Sequence, residues 1–331
     1  MKKTQTVTIG GGSGQFVLLS GLRVSGRFAI TSVVSMVDSG GSTGRLRDEY
    51  GILPPGDLLK CILALSPHQE FARYFLLKRF REDRRLRGHN AGNMLLTMLS
   101  RYTGSFTSGI QALAEILDVR GRILPVTTDK ATLVAELTDG NRIYGEQAID
   151  MPRGTQREKI RDVYLVPHHS DQVRVYPPVL KAIKAADLII LGPGDLFTSI
   201  LPNLIVPGVT EALQSAAAPI YFVINVMTKY GETHRFKARD FVIELENVLQ
   251  RQLDGIIYNT ARPEAALLQA YLEQKAEFVE VDTSDDWWAD RRMMATDLLD
   301  TSSGVLRHDS RKLAALIETI AADLPAGKGK A

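Results

Sequence analysis

The sequence predicts an α/β protein built on a doubly wound, mostly parallel sheet, with a small β-hairpin excursion. Three observations predict it. Short apolar, β-branched runs alternate with helical patterns, the rhythm of repeated βαβ units. Five of these runs end in loops of Gly, Asn, Asp, Ser or Thr while their interiors stay apolar, and in a doubly wound sheet such ends share one rim. The period switches to two only between Arg122 and Asp150, where Asp139-Gly140 reads as a hairpin turn. We expect one domain over residues 1–325, with a helical block at 57–118, the β excursion at 122–166 and a frayed tail at 326–331.

The first unit organises the rest. Thr6-Val7-Thr8-Ile9 reads as a buried strand, Gly10 to Gly14 as a glycine corner, and Phe16 to Leu22 as a helix. Glycines at a strand-to-helix corner allow positive φ and let a ligand approach the backbone N–H groups. The helix that follows aims its free amides and positive dipole end at the same spot, so the natural guest is an anion such as a diphosphate. A second strand, Ala29 to Val37, stops at Asp38 and opens into Ser39-Gly40-Gly41-Ser42-Thr43-Gly44-Arg45, which adds donors and positive charge. The dinucleotide fingerprint is broken by Gln15 or Val17, depending on the starting glycine, although Asp38 stands where a ribose-binding acid would. Neither loop ends in Gly-Lys-Ser/Thr, which argues against an ATP-hydrolysing P-loop.

Further along, Asp57 is placed to cap a helix over Leu58 to Leu65, and Phe71, Tyr74, Phe75 and Leu77 form an amphipathic stripe read as core. The arginine-rich run from Lys78 to Arg87 reads as a solvated face. His89, Asn90 and Asn93 open another helix, where caps alone do not account for all three, so His89 and Asn93 are ligand candidates. His168-His169 is read as a loop pair. After the excursion, strands at 187–191, 218–224, 255–258 and 277–281 alternate with helices, the last of them Ser310 to Leu324. Two of these strands end in Gly192-Pro193-Gly194-Asp195 and Asn225-Val226-Met227-Thr228; Asp195 is read as a helix cap.

Composition bounds the function. A net charge of +2 argues against a nucleic-acid surface. The single cysteine, Cys61, rules out a disulfide framework and reads as a buried, inert thiol. The first residues form no signal peptide and no apolar run reaches spanning length, so a cytoplasmic protein without membrane contact is expected.

Several motifs occur together and in order: Asp38 to Arg47, Pro54-Pro55-Gly56-Asp57, His89 to Asn93, Gly192 to Ser199, Asn225 to Thr228, and Arg307-His308-Asp309. On these the chain resembles the CofD/YvcK-like family, most closely its bacterial gluconeogenesis-factor branch. The resemblance implies a three-layer α/β/α Rossmann-like, CofD-like fold. It also implies binding of a nucleotide sugar such as UDP-N-acetylglucosamine or UDP-glucose, and a role in cell shape and growth on gluconeogenic carbon. The other branch transfers a phospholactyl-type group with magnesium. In the leading reading the chain is a non-enzymatic, ligand-binding regulator. Gly11, Gly12, Ser13 and Gly14 cradle the diphosphate beside Gly40, Gly41, Ser42 and Arg45. Asp38 holds a hydroxyl, Gly192, Gly194, Asn225 and Thr228 line the far wall, and Arg307 pairs with a phosphate. Tyr271 is read as a core residue that could instead stack on a base. The alternatives are a transferase, with Asp38 as magnesium ligand or base and His89 as acid/base, and an NAD-binding protein. A homo-oligomer and a regulatory protein partner are left open.

Overall fold

The computed structural model describes residues 2–82, 84–152, 157–302 and 304–324; the predicted tail at 326–331 lies outside them. Seven strands form the main sheet: β1 (Thr4–Gly10), β2 (Phe28–Val34), β3 (Arg122–Pro125) and, after an antiparallel sheet of β4 (Ala131–Leu137), β5 (Arg142–Tyr144) and β6 (Ile160–Pro167), the strands β7 (Leu188–Leu191), β8 (Ile220–Val223), β9 (Gly255–Asn259) and β10 (Met293–Thr296). Their order is β10-β9-β8-β7-β1-β2-β3, and each neighbouring pair is parallel. The central strands β7 and β8 are buried throughout, as an all-parallel sheet covered on both faces requires.

The helices that bear on the site are α1 (Gly12–Ser25), α2 (Gly41–Tyr50), α3 (Gly56–Leu65), α4 (Gln69–Leu76), α5 (Ala91–Tyr102), α6 (Phe106–Ile116) and α7 (Glu146–Asp150). Leu18, Leu19 and Leu22 of α1 are fully buried, as are Leu58, Leu59 and Ile62 of α3. Their spacing sets one apolar stripe per helix against the core. Cys61 lies in this layer, and burial, with the Asp57 charge second, pushes its thiol up to about 12. Among the described residues no helix is long and apolar enough to cross a membrane.

Four elements differ from the sequence reading. Arg122–Pro125, read with the excursion, is the β3 edge of the main sheet. The opposite edge is Met293–Thr296, while residues 277–281 make only a bridge between Met227 and Phe278. Asp57 does not cap α3; Pro55 takes that place and Asp57 falls in the first turn. The Phe71/Tyr74/Phe75 stripe is exposed, and α4 buries only Ala72.

Candidate functional site

From β1 the sheet grows to β2 and β3 on one side, and from β7 to β8, β9 and β10 on the other. The loops after β1 and β7 therefore part from each other, and a crevice opens at this switch point. A cleft of about 390 Å³ fills it, lined by Gly11 to Gly14 on one side and Pro193, Gly194 and Asp195 on the other. Helix α1 begins inside this cleft. Its N-cap, Gly11, is extended and supplies no side-chain cap, and the first turn carries no acid. The first-turn amides and the positive end of the helix are thus left for an anion. Gly12 has φ of 65°, which favours glycine. A Cβ on Gly14 would lie 2.2 Å from the Pro193 carbonyl oxygen, so only glycine lets the two walls approach this closely.

The wall beneath is acidic. Asp38 follows β2, and its Oδ1 accepts from the Gly40 amide at 2.9 Å. A Cβ on Gly56 would meet its Oδ2 at 2.7 Å, which places Asp38 across the starts of both α2 and α3. Burial, then the Asp57 charge, raises Asp38 to about 6. Glu146 reaches in from α7, accepts from the Ser39 amide at 3.2 Å, and is pushed up to about 8 by burial and then by Asp38. The balancing cation is Lys60, 3.0 Å from Asp57 Oδ1. Burial alone would lower Lys60, but the Asp57 charge and hydrogen bond outweigh it and raise the ammonium.

A second charged group closes the far side. Carboxylate oxygens of Asp150, Asp195 and Glu232 lie within 4.8 Å of one another. The Lys229 ammonium sits among them, hydrogen-bonded to Asp150, 2.8 Å from Asp195 Oδ2 and 3.5 Å from Glu232 Oε1. Burial would lower Lys229, yet Asp195, Glu232 and Asp150 together raise it. Glu232 is fully buried, accepts from Thr198 Oγ1 at 3.0 Å, and is pushed up to about 8 by burial and then Asp195. Asp195 makes no capping hydrogen bond; its carboxylate is spent on Lys229, which corrects the cap reading.

Of the residues singled out in the sequence, Gly11, Gly12, Ser13, Gly14, Asp38, Gly194, Asn225 and Arg307 line the cleft. Asn225 Oδ1 accepts from the Gly194 amide at 3.4 Å, and Arg307 stands exposed at the mouth. The others do not line the cleft. Ser42 Oγ meets His89 Nδ1 at 2.9 Å and accepts from Asn93 Nδ2 at 3.3 Å, a buried cluster that joins α2 to α5. His89, lowered by burial and then by Arg45, is placed to brace the loop rather than to move a proton in the cleft. Gly40 and Gly41 turn the chain into α2, and Arg45 donates to the Arg87 carbonyl at 2.8 Å. Gly192 donates its amide to Ile9. Thr228 Oγ1 accepts from the Glu277 amide at 2.8 Å. Tyr271 Oη accepts from the Leu306 amide and belongs to a small apolar cluster with Val226 and Leu299. Gln15, where a dinucleotide fingerprint needs glycine, is buried and donates to the Gly192 carbonyl at 3.3 Å.

Sequence reading missed Asp57, Lys60, Glu146, Asp150, Lys229 and His308 as lining residues. The one local signal was charge pairing at i,i+3: Asp57 with Lys60 and Lys229 with Glu232. His308 is buried, and burial drives it down to about 4 despite a bond to the Ile224 backbone, so it is neutral at neutral pH.

Sheet order and crevice define an α/β protein of the doubly wound class with a polar cleft at its switch point. The chain belongs to the CofD family, whose description reads "2-phospho-L-lactate transferase CofD" and which matches residues 6–299. It is similar to the gluconeogenesis factor of Halalkalibacterium halodurans, 38% identical over 286 residues and 85% of each chain. It is also similar to the gluconeogenesis factor of Bacillus subtilis, 35% identical over 317 residues, covering 96% of this chain and 98% of the relative. A crystal structure of a Bacillus halodurans protein superposes with a TM-score of 0.89 at 34% identity, over 96% of this chain and all of that one.

Magnesium, the metal of transferases in this family, suits the donors present. Asp38, Asp57 and Glu146 are hard oxygen ligands, with Lys60 paired to Asp57, and burial and mutual repulsion raise two of them. Carboxylates combined with ligand phosphates are how this ion is usually held.

Proposed function

We propose that this chain binds a nucleoside diphosphate sugar, of the UDP-N-acetylglucosamine or UDP-glucose kind, and acts as a regulatory factor rather than by turnover. One observation carries the proposal: the uncapped, acid-free start of α1 faces a glycine-walled crevice at the switch point of the sheet. The amides of Gly12, Ser13 and Gly14 receive the diphosphate, and Arg307 at the mouth closes on it as a fork. Asp38 and Asp57 would hold a divalent cation beside the ligand. Without that ion, a dianion would face the carboxylates of Asp38, Asp57 and Glu146, whose nearest ion-pair partner is Lys60 on Asp57. The ion supplies charge neutralisation. In the cell, we place this binding upstream of cell morphogenesis and of growth on gluconeogenic carbon.

The same carboxylates favour a second reading, transfer of a phospholactyl-type group from a nucleoside diphosphate donor, with Asp38 as proton acceptor. Its raised position near 6 suits a base at neutral pH. Calorimetry of the full chain against UDP-N-acetylglucosamine, GDP with magnesium, and NAD separates the readings. Saturable UDP-sugar binding without product supports the first, and release of a nucleotide product from a donor supports the second. Binding of NAD alone overturns both.

A further inference from the structure

The stripe on α4 neither packs into the core nor joins the cleft. Phe71, Tyr74 and Phe75 are 70%, 66% and 54% exposed, on a helix that buries only Ala72. Their rings hold one another: Phe71 and Phe75 lie 4.7 Å apart and tilted, and Tyr74 meets Phe75 edge-on at 5.5 Å. The result is an exposed, contiguous aromatic group. Isolated exposed apolar residues are ordinary, but a contiguous group marks an interaction surface.

Charge names the partner. Between Phe71 and Arg87 stand seven Lys/Arg and two acidic residues, a local net charge of +5 in a chain whose total is +2. The first cation beyond the helix, Lys78, lies over the Tyr74 ring at 5.8 Å. Arg73 is on α4 itself, over the Phe16 ring at 5.2 Å; the others sit on a loop closed by hydrogen bonds between Phe80 and the Gly88–His89 backbone, and Lys78, Arg79, Arg81 and Arg87 border a groove of about 800 Å³ there. A second copy docking by the same patch would press like charges together. Single-stranded nucleic acid needs open ring faces in series, whereas these faces are turned on one another and on Lys78. Exposed aromatics ringed by cations fit an anionic lipid surface, with rings at the headgroup boundary and cations against the phosphates.

We infer that α4 and the following basic loop form a peripheral docking surface for anionic membranes. This inference stands apart from the proposed ligand of the cleft. The test is flotation of the full-length protein with vesicles of equal parts phosphatidylglycerol and phosphatidylcholine, and with vesicles of phosphatidylcholine alone. The protein is expected to float with the first and stay behind with the second. Phe71→Ser/Tyr74→Ser/Phe75→Ser should lower the partition at least about tenfold, and Lys78→Glu/Arg81→Glu/Arg84→Glu by more than about a hundredfold. Both variants should melt like the parent, since the side chains changed are exposed. No flotation with anionic vesicles overturns the inference, and so does equal flotation with neutral ones. It is equally overturned if the aromatic variant abolishes self-association in sedimentation velocity, or binding of a single-stranded RNA oligomer, while leaving flotation unchanged.

Discussion

Gly14 faces the Pro193 carbonyl so closely that a single added carbon would stand 2.2 Å from its oxygen. The two residues come from loops that leave adjacent strands in opposite directions. Their contact fixes the width of the crevice that the start of α1 shares with Gly194. Gly14→Ala is therefore expected to force the walls apart, costing roughly 1–3 kcal/mol of stability. It should also weaken ligand binding more than Gly26→Ala, a change at the left-handed C-cap of α1 (φ 66°) that carries backbone strain but lies outside the cleft. Thermal melts and ligand titrations of both variants check this.

The buried carboxylates predict how pH and magnesium act together. Glu146 and Glu232 are raised to about 8, and Asp38 to about 6, against about 4 for free carboxyls. The folded state holds these protons more tightly than the unfolded one. Their contribution to stability is full below about pH 4 and is lost as pH rises through 6 to 8. Without metal, the protein should melt at a lower temperature at pH 9 than at pH 6. Magnesium competes for the same oxygens, so its stabilising effect should grow over that interval. A magnesium effect equal at both pH values contradicts this account.

Lys229→Met removes the ammonium that contacts Asp150, Asp195 and Glu232, two of them half-buried and one fully buried. We expect a loss of roughly 2–4 kcal/mol, since removing one partner of a buried ion cluster strands the other charges. Adding Glu232→Gln should recover part of it. Denaturant titration of the single and double variants measures both.

Cys61 is buried, and its thiol is pushed up to about 12. A thiol reagent should label it only as fast as the protein unfolds. Labelling of the folded protein at the rate of a free thiol would contradict the packing described.

Much of the sheet was legible because its strands advertise themselves. Leu188–Leu191 and Ile220–Val223 are continuous apolar runs, and their polar exits, Gly192-Pro193-Gly194 and Asn225, meet the Gly10–Gly14 corner at one rim. The edge strand Met293–Thr296 was not legible, because Met-Met-Ala-Thr has neither alternation nor a branched run, whereas residues 277–281, Glu-Phe-Val-Glu-Val, carry aromatic and β-branched side chains and yet lie outside the sheet. The cleft was half legible for a related reason. Residues on strand exits could be placed from topology, but Lys60, Glu146 and Lys229 arrive from a helix flank, a short helix between β5 and β6 and a loop turn. No period in the sequence tells where those fold back. Ser42, His89 and Asn93 stood out because they are polar and adjacent to the motifs; in the fold they hydrogen-bond to one another, with Asn93 Oδ1 left buried and without a partner.

The account rests on a diphosphate seated on the first turn of α1. The most direct measurement is a crystal structure of the full chain with UDP-N-acetylglucosamine and magnesium. The expected result is diphosphate oxygens within hydrogen-bonding distance of the Gly12, Ser13 and Gly14 amides, with the ion between them and Asp38. A nucleotide sugar bound with its phosphates away from that turn, or a cleft that stays empty at saturating ligand, would contradict it.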